Sequence, residues 1–191
     1  MKYLPVRKPN RLKGYDYSQV GKYFLTICAK DRLELFATIE AASCRPQYTH
    51  IGNVIEDEIA TLSNSYPGVS VEFFVIMPNH IHMIIDIIAA DGGRRNAENR
   101  GRQDAENRRR QDAEICGRQD AENRRRQDAA PTVSQMINQW KRAVSIKIGY
   151  SVWQKSFHDH IIRNESEYRK IVEYIKNNPI RWKQDCFYHK N

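Results

Sequence analysis

Two apolar runs parted by a proline constrain the fold more than anything else in the sequence: residues 69–76 and residues 80–88, with Pro78-Asn79 between them. Both are rich in β-branched and aromatic side chains, so they read as two strands with a break at Pro78-Asn79. Successive side chains of a strand point to opposite faces, which puts His80 and His82 together and turns Ile81 and Met83 the other way. Two imidazoles on one face are the beginning of a metal site, and a pair of core histidines is the structural alternative. A metal site needs further ligands from elsewhere in the chain.

The remaining elements follow from periodicity. A basic arm over residues 6–22 interleaves Arg7, Lys8, Arg11, Lys13 and Lys22 with Tyr15, Tyr17 and Tyr23, a composition that suits a phosphate backbone and stacked bases as well as a solvated arm. It leads into a strand over residues 23–29, and a further strand or hairpin arm is expected over 33–39 after a turn at Lys30-Asp31-Arg32. Ile51, Val54, Ile55, Ile59 and Leu62 recur at helical spacing, predicting a helix over 51–63 with Thr49 as its cap. Glu56, Asp57 and Glu58 on that helix read as surface.

Val133, Met136, Ile137, Trp140, Val144 and Ile148 predict a second amphipathic helix over 132–148, with Lys141, Arg142 and Lys147 off its apolar stripe. A loop and a short extended segment follow. The last helix opens near 164–166, carries Tyr168, Ile171, Val172 and Ile175 inward, and is stopped by Pro179.

Residues 93–130 break this pattern. They repeat an octapeptide of the type Gly-Arg-Gln-Asp-Ala-Glu-Asn-Arg with almost no apolar side chain, too short a period and too polar for a stacked core. The chain therefore reads as one domain, residues 1–191, interrupted at 93–130 by an insertion expected to be disordered. The insertion holds 11 Arg against 8 Asp and Glu, so it accounts for +3 of the net charge of +8 and leaves +5 for the rest. That surplus suits a polyanionic partner, nucleic acid first. Four scattered cysteines with no C-x-x-C pair argue against a disulfide framework, and the proline-broken start is unlike a signal peptide, so a cytoplasmic protein is expected. The longest apolar run contains Pro78, Asn79, both histidines and Asp86, which excludes a membrane span there.

On the last helix Tyr174 lies beside the apolar stripe and Asn178 follows one turn later on the same face. By spacing alone, Tyr174 is an edge-of-core tyrosine or a nucleophile, and Asn178 a helix cap or a ligand. Lys141, Arg142 and Arg163 are further candidates for phosphate contacts beside Arg11 and Lys13.

Met77-Pro-Asn-His-Ile-His-Met-Ile-Ile85 resembles the His-hydrophobic-His (HUH) motif of single-tyrosine transposases. Trp153-Gln-x-x-Phe-x-x-His160-x-Ile-Arg163, followed by Tyr174-Ile-Lys-Asn-Asn-Pro179, resembles the tyrosine-helix region of the REP-associated tyrosine transposases, and the opening Arg11-Leu-Lys-Gly-Tyr-Asp-Tyr-Ser with Tyr23-Phe-Leu-Thr-Ile-Cys resembles that family's start. The similarity spans nearly the whole chain outside the repeat. It implies an α+β fold, a ferredoxin-like antiparallel sheet with packed helices that carries the histidines on a strand and the tyrosine on a C-terminal helix. It further implies Tyr174 as the nucleophile, His80, His82 and Asn178 as ligands of a divalent metal (Mg²⁺ or Mn²⁺), and a 5′-phosphotyrosine intermediate on single-stranded or hairpin DNA. His158 and His160 read as structural or phosphate-contacting. The rival expectations are a catalytically silent DNA-binding protein of the same fold and a hydrolase that uses water and leaves Tyr174 idle. Monomer and homodimer stay equally open.

Overall fold

The computed structural model describes residues 14–40, 45–88 and 131–188. Arg11, Lys13, the first part of the basic arm (6–13) and the whole octapeptide repeat lie outside the described residues. Apart from Pro131, the described residues fall within one compact unit formed by 1–89 and 132–191. No helix among them is long and apolar enough to cross a membrane.

Four antiparallel strands form the central sheet in the order β4-β5-β1-β6: β1 is Gly21–Cys28, β4 Val69–Ile76, β5 His80–Ile87 and β6 His158–Ile162. The register sets Leu25 opposite Met83 and Ile27 opposite Ile81, while Thr26 meets His82 and Cys28 meets His80. Tyr23, Leu25, Ile27, Ile81, Met83 and Ile85 thus share one apolar face, fully buried with α1 (His50–Ser65) and α2 (Val133–Ile148) in a single cluster. Phe24, Val75, His80, His82 and Ile84 belong to the other face, which α3 (Glu165–Asn177) covers with Ile171, Val172 and Ile175. A bulge between Val71 and Phe73 breaks the alternation, so Val71, opposite Ile85, lies on the apolar face while Phe73 and Val75, opposite Ile84 and His82, lie on the histidine face.

The three helices start where their sequence signals lie. Thr49 and Asn164 cap α1 and α3 through their side chains, and Thr132 forms a capping box with Gln135 at the start of α2. Gly149, at φ +91°, ends α2 in the left-handed conformation that favours glycine.

Three expectations are corrected. The strand anticipated over 33–39 shrinks to β2 (Ala37–Thr38), paired with β3 (Gln47–Tyr48) in a separate two-stranded sheet, after a 3-10 turn at Lys30–Arg32. Glu58 is buried rather than at the surface, because the Lys147 ammonium reaches across from α2 to pair with it. Lys141 is buried too. Its ammonium donates to the carbonyls of Gln154 at 2.8 Å and Ser156 at 3.1 Å, so it is spent inside the protein and is not offered to a phosphate.

Candidate active site

The histidine face of the sheet and the exposed side of α3 meet at the start of β5. Tyr174 Oη lies 3.2 Å from His82 Nε2, and the two rings are 5.1 Å apart. Tyr174 is 43% exposed whereas His80, His82 and Asn178 are buried, so solvent reaches the phenol and not the side chains behind it.

The hydrogen bonds assign the protons of this cluster. Asn79 Nδ2 donates to the carbonyls of Arg32 and Phe187, which can only accept; its Oδ1 therefore faces His80 Nδ1 at 2.9 Å as an acceptor. His80 must carry its proton on Nδ1, and Nε2 is left as a bare lone pair. That atom is buried with no hydrogen-bond partner. Asn178 leans against His80 closely enough to favour a charged imidazole, yet no well-formed hydrogen bond joins them. Asn178 Nδ2 instead donates to Asp185 Oδ2 at 2.9 Å, which leaves its Oδ1 buried and partnerless as well.

Asp185 is the residue that sequence reasoning missed. It caps a 3-10 turn, Trp182–Gln184, held down by the buried Trp182, whose ring lies 5.9 Å from that of His80. Its Oδ1 accepts from the Phe187 amide at 2.8 Å, and its Oδ2 accepts from Tyr174 at 3.4 Å. One ligand atom each from His80, His82 and Asp185 all fall within 4.8 Å of one another. Nothing in the spacing of Asp185 announces this, since it arrives through a turn rather than on the tyrosine helix. Asn79 carries a signal, its position directly before His80, beyond its part in the strand break. Thr26, which bonds His82 Nδ1 at 2.9 Å, has none.

Burial dominates the electrostatics. It drives His80 down to about 3, with Asn178 opposing, and takes His82 well below the ordinary imidazole range, helped by His80 beside it. Both rings are neutral at physiological pH, the form that binds metals. Burial, then the Asp185 carboxylate, pushes the Tyr174 phenol up to about 12. Donors from Asn178 Nδ2, the Phe187 amide and the Tyr174 hydroxyl serve Asp185, but the His80 Nε2 lone pair and Asn178 Oδ1 are buried acceptors that no donor reaches, and a cation would complete them. A buried acceptor without a donor is otherwise costly. The residues present therefore fit a divalent ion.

A cleft of about 450 Å³ opens in front of this cluster, lined by Lys170, Glu173, Tyr174, Asn178, Arg181 and Asp185 among others. The other DNA-contact candidates lie elsewhere: Arg142 is exposed on α2, across the sheet, and Arg163 is exposed where β6 turns into α3, its amide bonded to Glu167. His160 bonds Glu167 Oε1 at 2.7 Å on the edge strand, and neither it nor the exposed His158 belongs to the metal-ligand cluster.

No protein-family model matches the sequence. A protein of unassigned function from Haemophilus influenzae is 33% identical over 187 residues, covering 95% of this chain and 93% of its own length. Among solved structures, a REP-associated tyrosine transposase bound to a REP hairpin superposes with a TM-score of 0.56 at 18% identity, over 90% of this chain and 74% of that one. The chain belongs to one family with the Haemophilus influenzae protein, and its fold is that of a REP-associated tyrosine transposase.

Proposed function

We propose that the protein is a metal-dependent single-stranded DNA endonuclease and strand transferase, a transposase acting on hairpin-forming DNA through Tyr174. The observation that carries this reading is the placement of a solvent-reachable phenol 3.2 Å from a buried histidine, beside His80, His82 and Asp185 and two buried acceptor atoms, His80 Nε2 and Asn178 Oδ1, that no donor reaches. A pure DNA-binding protein gains nothing from such a pocket. The fold shared with a transposase solved on a REP hairpin supports the choice of substrate.

His80, His82 and Asp185, with Asn178 Oδ1, are the residues that would hold a divalent cation, Mg²⁺ or Mn²⁺. Such an ion supplies charge neutralisation to the oxygens of a phosphodiester. The chain's own groups account for the rest. Tyr174 Oη attacks phosphorus as the phosphorus–oxygen bond to the 3′ oxygen breaks, giving a 5′-phosphotyrosine, and the leaving 3′ oxygen takes a proton from solvent to become a free 3′-OH. The phenol is protonated at neutral pH, and Asp185 Oδ2 at 3.4 Å is the nearest anionic acceptor for its proton. The ester link keeps the energy of the broken bond, so a second 3′-OH can attack it and rejoin the strand without a nucleotide cofactor.

Incubation of the protein with end-labelled hairpin DNA and Mn²⁺, followed by denaturing electrophoresis, tests the reading. A covalent protein–DNA adduct is expected from the wild type and none from Tyr174→Phe. An adduct that survives the substitution would move the nucleophile to another residue, Tyr168 first. Cleavage without an adduct would make the protein a hydrolase, and neither product would leave it a silent DNA-binding protein.

A further inference from the structure

Several of the cations along α3 and its approaches are already committed. Lys22 pairs with Glu72 and Asp86, Arg169 with Glu165, and the Lys176 ammonium sits 5.2 Å from the centre of the Phe73 ring. Lys170 and Arg181 differ. Both line the cleft in front of Tyr174, and among the described residues neither side chain has an ion pair or a hydrogen-bond acceptor.

Their spacing is as informative as their freedom. Lys170 precedes Tyr174 by four residues, one turn along the same helix face. Past Asn177 the backbone keeps coiling through Pro179, the Arg181 amide donating to Asn177 O at 3.2 Å and Asn178 O at 3.1 Å. Arg181 therefore returns to the face that carries Lys170 and Tyr174. At 1.5 Å per residue the nucleophile lies about 6 Å along the helix from Lys170 and about 10 Å from Arg181. The acidic groups of the cleft are Glu173 on its wall and Asp185 at the histidine end. Asp185 is directed to the metal ligands, so a phosphate chain laid along the cleft meets two cations and one competing carboxylate.

We propose that Lys170 and Arg181 are positioning residues that grip the phosphates on either side of the scissile one, stretching the single strand across the Tyr174 hydroxyl. This inference rests on Tyr174 being the nucleophile. Two point charges that bracket the reacting bond fix its register without reading a base, and they act on binding rather than on the chemical step.

The test measures binding of a fluorescent hairpin with a single-stranded tail to the full chain in a Tyr174→Phe background, across a KCl series. Lys170→Gln and Arg181→Gln are each expected to flatten the log–log salt slope by about 0.7, the value for one lost contact to a single strand. Lys170→Arg should restore the slope. Lys183→Gln, an exposed lysine outside the cleft, should leave it unchanged. In the Tyr174 form, adduct formation at saturating DNA should stay within about twofold while the half-saturating DNA concentration rises. An adduct-forming protein whose slope ignores both substitutions, or in which Lys183→Gln flattens it equally, overturns this inference alone. Slope losses in a protein that forms no adduct overturn the flanking role together with the nucleophile reading.

Discussion

Ile81 and His82 are neighbours on β5 and face opposite ways, and the two faces they represent are built on different terms. Ile81 points into a continuous apolar cluster shared by the sheet, α1 and α2. His82 points at α3 through a layer in which buried polar atoms outnumber their partners: His80 Nε2 and Asn178 Oδ1 bond to nothing. On the first face, folding is driven by area removed from water, roughly 25 cal/mol per Å². On the second, neutral imidazoles and a bare amide oxygen are held in place by a second set of bonds, from Asn79, Thr26 and Asp185. One strand thus carries the stability on one side and the candidate site on the other, with α3 covering that side and bringing Tyr174 to it.

Truncating the apolar side should give the largest effect on stability. Ile81→Ala is expected to cost about 3 kcal/mol in a denaturant titration, the usual range for emptying a fully buried isoleucine site. Adduct formation per folded molecule should be unchanged, since the removed atoms point away from Tyr174. Loss of activity in proportion greater than loss of folded protein would break the division between the two faces.

On the histidine side the expected signature is pH dependence. Burial lowers both imidazoles far below their unfolded value near 6.5, so the unfolded chain takes up protons that the folded one refuses. Stability is therefore complete above pH 6.5 and falls as the pH drops below it, by about 2 kcal/mol at pH 5 for His80 and in the same direction for His82. His80→Leu should remove one of these two contributions. At pH 7 its effect is small, because the leucine gains burial while Asn79 Oδ1 loses its partner. Denaturation curves for both proteins at pH 7 and pH 5, without added metal, measure the difference, and parallel losses on acidification would show that His80 is not held neutral.

The division of labour was only half visible in the sequence. Alternation along residues 80–87 announced both faces, and the helical stripe with Tyr174 and Asn178 one turn apart announced the covering helix, because both are local periodicities. The elements that failed were those whose reason is tertiary. The strand expected over 33–39 gave way to a two-residue bridge, since β-propensity there found no long partner. Asp185 reaches the histidines only through the turn that Trp182 anchors, and a turn leaves no period to read. Lys141 looked like a surface cation because it sits off the apolar stripe, and no pattern revealed that two carbonyls wait for it.

Lys141 also sharpens the comparison from the apolar side, as a buried charge whose bonds are made rather than left open. Its ammonium bonds the carbonyls of Gln154 and Ser156 and lies 5.8 Å from the centre of the Trp153 ring, while Trp153 Nε1 donates to Lys141 O at 2.9 Å. Burial nevertheless lowers it to about 8 from an unfolded value of 10.5, with Cys28 as the group that would draw it back up. Burial raises that thiol in turn, so Cys28 opposes the shift only at still higher pH. Below pH 8 both folded and unfolded chains hold the proton and Lys141 exerts its full cost. Between about 8 and 10.5 the unfolded chain holds a proton that the folded one releases, so stability rises with pH across that window, by about 1 kcal/mol from pH 8 to pH 9. In Lys141→Met this rise should vanish, and because every other titrating group is common to the two proteins, the difference between their denaturation midpoints isolates it. Equal slopes would mean that the two carbonyl bonds hold the charge in place against burial, and that even the apolar side keeps a permanent ion.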